Sequence, residues 1–140
     1  MQKLFADTDI SLDLLSKRLP FYNAASRLFT LADHGEIKIF VSSLSFSNLN
    51  YLLSRQFNVD QARRKLLNFK TLVTVLPVTE KTVELALSSE FKDFEDAIQY
   101  YSAKGQVGIN AIITRNPKDF AVKDLAILSP DEALSYSAIQ

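Results

Sequence analysis

Aspartate residues lie in three short stretches that are far apart in the sequence: Phe5–Asp9, Lys92–Asp96 and Thr114–Phe120. Two of these stretches follow apolar, strand-like segments, and the middle stretch begins a helix-like segment. Carboxylates that converge on one point repel one another, and proteins tolerate this repulsion where a cation lies between them. The three stretches therefore predict a divalent metal site in which Asp7, Asp96 and Asp119 meet.

The composition restricts the metal that such a site would bind. The chain has no cysteine and only one histidine, so thiolate ligands are excluded and a zinc site is disfavoured. Carboxylate oxygens favour Mg²⁺ or Mn²⁺, and a water on such an ion can become the nucleophile on a phosphodiester. Asp9 and Asp93 are second candidates, since Asp93 and Asp96 are three residues apart and share a helix face.

Each aspartate also has a purely structural explanation. Asp7 and Asp93 are natural helix N-caps, and Asp96 is an acceptable third residue of the helix that Asp93 begins. Asp119 can close an Asx-type turn. Each explanation is sufficient for its own residue, but the arrangement of the aspartates taken together favours a metal site.

Apolar segments with β-branched residues alternate with helix-like segments along the whole chain. The predicted strands are Lys3–Ala6, Ile37–Val41, Leu72–Leu76, Ile109–Ile113 and Leu125–Leu128. The predicted helix caps include Ser42 or Ser43, Asn58, Thr79, Asp93 and Ser129. This alternation predicts an α/β sandwich with a largely parallel central sheet. Asp7, Asp96 and Asp119 can meet at the carboxyl ends of the strands if the first and fourth strands are neighbours.

The overall composition excludes several classes of protein. With 140 residues, 47% of them hydrophobic, the chain is predicted to form one domain, residues 1–140. Lys and Arg total 16, as do Asp and Glu, which excludes a strongly basic nucleic-acid binder but not a nucleic-acid enzyme with local basic residues. No apolar run approaches the roughly 18–20 residues that span a bilayer. The N-terminus does not resemble a signal peptide, so we expect a cytoplasmic protein without a membrane contact.

The same motifs resemble those of the PIN domain family. Asp7–Asp9 after a short strand resembles the opening of that family, and Asp93–Ala97 resembles its acidic helix start. Thr114–Phe120 matches the family's Thr-x-Asn-x-x-Asp-Phe segment, and Ile127–Glu132 resembles its closing junction between strand and helix. The resemblance covers essentially the whole chain, and Thr114–Phe120 is its most specific part.

This resemblance implies a metal-dependent ribonuclease acting on single-stranded RNA. It implies a three-layer α/β/α sandwich in which a parallel sheet of about four or five strands lies between helices. The residues that would bind the metal and carry catalysis are Asp7, Asp96 and Asp119. The residues that would support them through hydrogen bonds are Thr114 and Asn116. Many bacterial members are toxins of toxin–antitoxin pairs, form dimers and are inhibited by an antitoxin, which implies an antitoxin partner and a homodimer here.

The basic residues beside the acidic motif have two interpretations. Arg115 and Lys118 flank Asn116 and Asp119, where they would contact RNA phosphates. The alternative is that both belong to an ordinary solvated loop.

One position departs from the family pattern. Asn48 aligns with a glutamate that nuclease members carry on the helix after the second strand, and an amide oxygen can accept a bond but brings no charge. Asp9 replaces the usual asparagine and can restore negative charge, as can Asp93. The leading hypothesis is a Mg²⁺- or Mn²⁺-dependent endoribonuclease. The alternatives are a catalytically weakened PIN-like module that binds RNA or a protein partner, and a phosphatase or receiver-like α/β protein.

Overall fold

Five strands and seven α-helices alternate along the residues that the structure describes. This computed structural model covers residues 1–120 and 124–139, with side chains for 1–120 and 124–136. The strands are β1 (Gln2–Ala6), β2 (Ile37–Ser42), β3 (Val73–Leu76), β4 (Ala111–Ile113) and β5 (Ala126–Leu128). The α-helices are α1 (Thr8–Leu15), α2 (Tyr22–Asp33), α3 (Ser43–Gln56), α4 (Val59–Lys70), α5 (Glu80–Leu87), α6 (Phe94–Lys104) and α7 (Pro130–Ile139). A 3-10 helix, Pro117–Phe120, lies between β4 and β5.

The central sheet is parallel, and its middle strand is the first strand of the chain. The strand order is β3-β2-β1-β4-β5. Phe5 of β1 pairs with Phe40 of β2 on one side and with Ile112 of β4 on the other. The first and fourth strands are therefore neighbours, which is the condition under which the three aspartates were predicted to meet. Because the strand order reverses here, the carboxyl ends of β1 and β4 form a topological switch point.

Strand β4 begins two residues later than the sequence predicted. Asn110 lies just before β4 and bonds to β1 partly through its side chain. Its N–H donates to the Lys3 carbonyl at 2.7 Å, and its side-chain oxygen accepts from the Lys3 N–H at 2.8 Å. Gly108, just before it, has a φ of +92°, a conformation that residues with a Cβ rarely adopt. These features hold β4 in register with β1.

Polar side chains begin the helices at the predicted positions. The N-caps of α3, α4, α5 and α6 are Ser42, Asn58, Thr79 and Asp93. Each side chain accepts a hydrogen bond from a backbone N–H of the first turn, which otherwise has no partner within the helix. The cap on α6 matters most for function, because it fixes the end of the helix that carries Asp96.

Helices cover both faces of the sheet. On one face, Leu4 and Ala6 of β1 pack in a core with residues of α1, α2, α3, α4 and α7. On the opposite face, Phe5 packs with residues of α6 and the 3-10 helix, and α5 packs against α6. Side chains thus alternate between the two layers along β1, as in any strand buried on both faces. The predicted three-layer α/β/α sandwich with a parallel sheet is confirmed, with five strands.

Among the described helices, none combines the length and the apolar character needed to cross a membrane.

Candidate metal centre

An acidic pocket of about 640 Å³ lies where the strand order reverses. Its lining residues come from the end of β1, from α1, α3 and α6, and from the 3-10 helix: Asp7, Thr8, Asp9, Ser47, Asn48, Tyr51, Leu52, Asp93, Glu95, Asp96, Gln99 and Asp119. The structure therefore brings the aspartates of all three sequence stretches into one pocket, although residues 7 and 119 are at opposite ends of the sequence.

Asp7 is held rigidly at the base of this pocket. Its backbone N–H donates to the Ile113 carbonyl at 3.1 Å, and its carboxylate caps α1 by accepting from the Ile10 N–H at 3.0 Å. The side chain is only 5% exposed. Burial raises the pKa of Asp7 from 3.8 to about 7, although a hydrogen bond from the Thr114 hydroxyl opposes that shift. Asp7 is thus both a helix cap and a desolvated carboxyl group that faces the pocket.

Asp96 lies at the start of α6, where several negative charges meet. Its backbone N–H donates to the Asp93 carboxylate at 3.0 Å, so the two side chains occupy the same helix end. The pKa of Asp96 is raised to about 7, first by burial and then by the negative charges of Asp93, Asp119 and Asp7, in that order. Part of this shift reflects repulsion between the carboxylates, and a cation bound among them would relieve that repulsion.

The segment after β4 carries Asp119 to the pocket. The Thr114 N–H donates to the Leu128 carbonyl at 2.9 Å, which ties the segment to β5. The Thr114 side-chain oxygen accepts from the Asn116 N–H at 3.0 Å, and the Asn116 carbonyl accepts from the Asp119 N–H at 3.0 Å. Thr114 is fully buried and contacts Asp7, whereas Asn116 is exposed and acts in these bonds through its backbone.

Asn48 and Asp9 line the same pocket as the three aspartates. Asn48 lies on α3, the helix that follows β2, and its side chain is partly exposed. The position at which the family pattern calls for a glutamate therefore faces the acidic pocket. Asp9 adds a carboxylate from the first turn of α1, and its negative charge also raises the pKa of Asp7.

A buried polar network that the sequence did not predict forms part of the pocket wall. The Gln99 side-chain oxygen accepts from the Thr8 N–H at 3.0 Å, and the Thr8 hydroxyl pairs with the Ser45 hydroxyl at 2.8 Å. These bonds join α6, α1 and α3, so they fix the helices that carry Asp96, Asp9 and Asn48. Gln99 lies one helical turn after Asp96, and this spacing is the signal that could have placed it at the site.

Arg115 forms an ion pair that neither interpretation of the sequence included. Its guanidinium group donates two hydrogen bonds to the buried Asp13 carboxylate, at 2.7 Å and 3.2 Å. It also lies over the Phe21 ring, 3.8 Å from the centroid. The Arg115 side chain is 17% exposed, so this pair excludes an ordinary solvated loop, and contact of Arg115 with an RNA phosphate stays a prediction. Lys118 is exposed and lines a second cavity beside the acidic pocket.

The pocket offers carboxylate oxygens, which suit a hard divalent cation, but it does not hold them in a preformed ligand cage. Within residues 1–120 and 124–139, no three His, Cys, Asp or Glu side chains already stand where they could hold one metal ion together. Carboxylates from separate elements nevertheless share one pocket, and burial and mutual repulsion raise the pKa of Asp7 and Asp96. Mg²⁺ retains several waters and needs only one or two direct carboxylate ligands, so it does not require a preformed cage and fits a pocket lined by separate carboxylates.

These pKa values predict how the stability of the metal-free protein changes with pH. Asp7 and Asp96 have pKa values of about 7 in the fold and 3.8 in the unfolded chain. Between these values the folded state holds protons that the unfolded state has released, so stability falls as pH rises from about 4 to 7. The contribution of Asp7 is on the order of 4 kcal/mol, and that of the less buried Asp96 is smaller because solvent screens it.

Thermal unfolding in EDTA across this pH range measures the effect. Asp7→Asn is expected to flatten the profile, because the variant lacks one of the two titrating groups, while the control Asp33→Asn keeps the wild-type slope. A midpoint that is constant or rises between about pH 4 and 7 in the wild-type protein would contradict the prediction.

The fold and the pocket define a parallel α/β sandwich with an acidic centre at the carboxyl ends of its strands. The family model described as PIN domain matches residues 3–118. The chain therefore belongs to the PIN domain family, and the resemblance noted in its motifs is confirmed.

Comparisons with individual proteins agree with this assignment. Ribonuclease VapC1 from Aquifex aeolicus (strain VF5) is 26% identical over 139 residues, which cover 94% of this chain and 92% of that protein. VapBC2 from Rickettsia felis, solved bound to a DNA fragment from its promoter, has a TM-score of 0.67 and 18% identity, covering 91% of this chain and 98% of that chain. VapC20 from Mycobacterium tuberculosis, a toxin that cleaves the sarcin–ricin loop, has a TM-score of 0.60 and 19% identity, covering 78% of this chain and 86% of that chain.

Proposed function

We propose that this chain is a Mg²⁺- or Mn²⁺-dependent endoribonuclease that cleaves single-stranded RNA and acts as the toxin of a toxin–antitoxin pair. The observation that carries the proposal is the single pocket that Asp7, Asp96 and Asp119 share at the strand-order reversal. Membership of the PIN domain family supports it, as do a relative named as a ribonuclease and solved structures named as VapBC complexes.

Asp7, Asp96 and Asp119 are the residues that would hold the metal. When bound, the ion would supply a Lewis acid at the scissile phosphate and lower the pKa of the attacking water. The protein's own contribution is to fix the carboxylates before the substrate arrives. The Asp7 carboxylate accepts from the Ile10 N–H and lies beside Thr114, and the backbone of Asp96 is bonded to the Asp93 carboxylate at the start of α6.

The neighbouring polar residues would tune this centre. Asp9 and Asp93 line the pocket and add negative charge around the proposed metal ligands. The Asn48 amide oxygen can accept a hydrogen bond from water, and its NH₂ group can donate to a phosphate oxygen. Thr114, through its hydroxyl, holds Asp7 and the backbone of Asn116 together.

The proposed partners are an antitoxin protein and a second copy of the chain. A solved toxin–antitoxin complex from Klebsiella pneumoniae, which contains a chain similar to this one, supports the first. Tyr51 and Leu52 on α3 are 59% and 40% exposed at the rim of the acidic pocket, which gives a protein partner apolar area beside the site. We place this activity in the cytoplasm, with the RNA substrate.

Asn48 favours a second candidate, a weakened PIN-like module that binds RNA or a protein partner. It puts a neutral amide in the pocket where a glutamate is expected, and the missing charge would lower the affinity for a divalent ion.

One assay separates the two functions. We expect the purified wild-type chain to cleave mixed single-stranded RNA with Mn²⁺ or Mg²⁺ and to lose this activity in EDTA, because the carboxylates alone supply no Lewis acid. Cleavage that persists in EDTA would contradict metal dependence. If the wild-type chain is inactive and Asn48→Glu cleaves, the weakened module is correct; if both are inactive and calorimetry detects no Mn²⁺ binding, the nuclease proposal fails.

A further inference from the structure

A second cavity of about 790 Å³ adjoins the acidic pocket. The two share Asp93, Asp96 and Asp119, so anything bound in one lies next to the other. The rest of the second cavity is lined by the segment that connects α5 to α6, together with one tyrosine of α6 and one lysine of the 3-10 helix: Ser88, Ser89, Glu90, Phe91, Lys92, Tyr101 and Lys118. None of these residues takes part in the proposed metal centre.

Two aromatic side chains form one wall of this cavity. Phe91 and Tyr101 are each partly exposed, with ring centroids 6.3 Å apart and an interplanar angle of 66°. Buried rings support both from behind: Tyr100 lies 5.3 Å from Phe91 and 5.0 Å from Tyr101, and Phe120 lies 6.2 Å from Phe91. A flat ligand can stack on one exposed ring and meet the edge of the other, and an unpaired base has this shape.

Two lysines bring positive charge to the same cavity. Lys92 and Lys118 are exposed, and neither forms an ion pair with any residue in the described part of the chain. Their ammonium groups are therefore available to a phosphate, and Lys118 precedes Asp119 directly in the 3-10 helix. Glu90 opposes them, but the other three carboxylates in the lining are those shared with the acidic pocket. The cavity thus combines aromatic rings and ammonium groups beside a carboxylate cluster.

We propose that this cavity binds one unpaired nucleotide next to the phosphodiester held over the acidic pocket, with its base on Phe91 and Tyr101 and its phosphate at Lys118 and Lys92. This inference rests on the proposed ribonuclease function and adds a specificity site to it. Double-stranded substrate is disfavoured because a paired base must first be unpaired and unstacked, at a cost in free energy, before it can enter the cavity. The identity of the base preferred beside the cleavage point is then set by this cavity and not by the metal centre.

Binding measurements test this inference independently of cleavage. The probes are short, fluorescently labelled single strands of RNA and of DNA with the same mixed sequence, titrated with the full chain in EDTA so that metal-dependent cleavage does not shorten them. The variants are Tyr101→Leu, Phe91→Leu and Lys118→Gln, with Tyr136→Leu and Lys81→Gln as matched controls on α7 and α5. We expect about 5- to 100-fold weaker RNA binding for the aromatic variants, because one stacked base is lost.

The outcomes distinguish this proposal from the one on which it rests. Weaker RNA binding by the three variants, with wild-type unfolding temperatures and unchanged controls, supports the nucleotide site. An equal loss of DNA binding shows that the site recognises the base and the phosphate and does not require the ribose 2′-hydroxyl. Variants that bind like wild type, while wild-type cleavage is retained, overturn the nucleotide site and leave the ribonuclease intact. Weaker binding by the variants without cleavage by the wild type supports the site and removes the ribonuclease. A wild-type chain that binds neither probe overturns the nucleotide site.

Discussion

Asp7→Asn is expected to lower metal-dependent RNA cleavage at least about 100-fold without unfolding the protein. The carboxylate that would hold the metal is replaced by a neutral amide of the same shape. The amide oxygen can still accept from the Ile10 N–H, so the cap on α1 survives. A buried group whose pKa is raised to about 7 is also removed, so the metal-free fold should be at least as stable as wild type.

Cleavage rates with Mn²⁺ measure the expected loss of activity, and thermal unfolding in EDTA measures the expected stability of the variant. Asp33→Asn makes the same chemical change at the exposed end of α2 and should leave the rate unchanged. If Asp7→Asn cleaves at the wild-type rate, Asp7 does not hold a catalytic metal. If the variant is inactive only because it unfolds, the melting curve in EDTA shows that directly.

Arg115→Met is expected to destabilise the protein by about 3–5 kcal/mol, because it leaves a buried carboxylate without its main partner. The Asp13 side chain is 1% exposed, and the Arg115 guanidinium group lies 2.7 Å from it. Burial already raises the pKa of Asp13, and the Arg115 hydrogen bonds and charge oppose that shift. Arg18, at 3.8 Å and largely exposed, is too distant and too solvated to replace them.

Urea unfolding provides the measurement, with Arg63→Met on the exposed face of α4 as the control. The double variant Asp13→Asn/Arg115→Met should recover most of the lost stability, because it removes the uncompensated charge as well as its partner. A single variant no less stable than Arg63→Met would show that the pair contributes nothing. Because Arg115 directly follows Thr114, we also expect Arg115→Met to loosen the segment that carries Asp119.

Local sequence patterns were sufficient to predict the elements of this fold. The side chains of Asn58, Thr79 and Asp93 cap the helices as expected, because an N-cap depends on residues only three positions apart. The apolar segments that precede Asp7 and Thr114 became neighbouring strands of a parallel sheet. Strands and helix starts depend on short segments of sequence, and in this chain the preferences of those segments agree with the tertiary structure.

Contacts between distant residues could not be predicted in the same way. The pairing of Arg115 with Asp13 spans 102 residues, and that of Thr8 with Gln99 spans 91. The residues next to Arg115 and Gln99 in sequence do not indicate these distant partners. Arg115 was therefore predicted to contact solvent or phosphate, and no role was predicted for Gln99. The metal-binding roles predicted for Asp7, Asp96 and Asp119 came from the placement of the acidic stretches and from a resemblance in motifs, whereas their common pocket depends on the β1–β4 pairing that the three-dimensional structure supplies.

The position of β1 also orders the events of synthesis. β1 is made before β4, yet it needs β4 on one side, and its Lys3 N–H has no side-chain partner until Asn110, 107 residues later, has been made. A growing chain can pair β1 with β2 early while its other edge has no neighbour. Asp7 cannot meet Asp119 until synthesis has passed β4 and the 3-10 helix. The proposed nuclease would therefore have no complete site before that point, so the ribosome and the message that produce it would not be exposed to a finished site on the nascent chain.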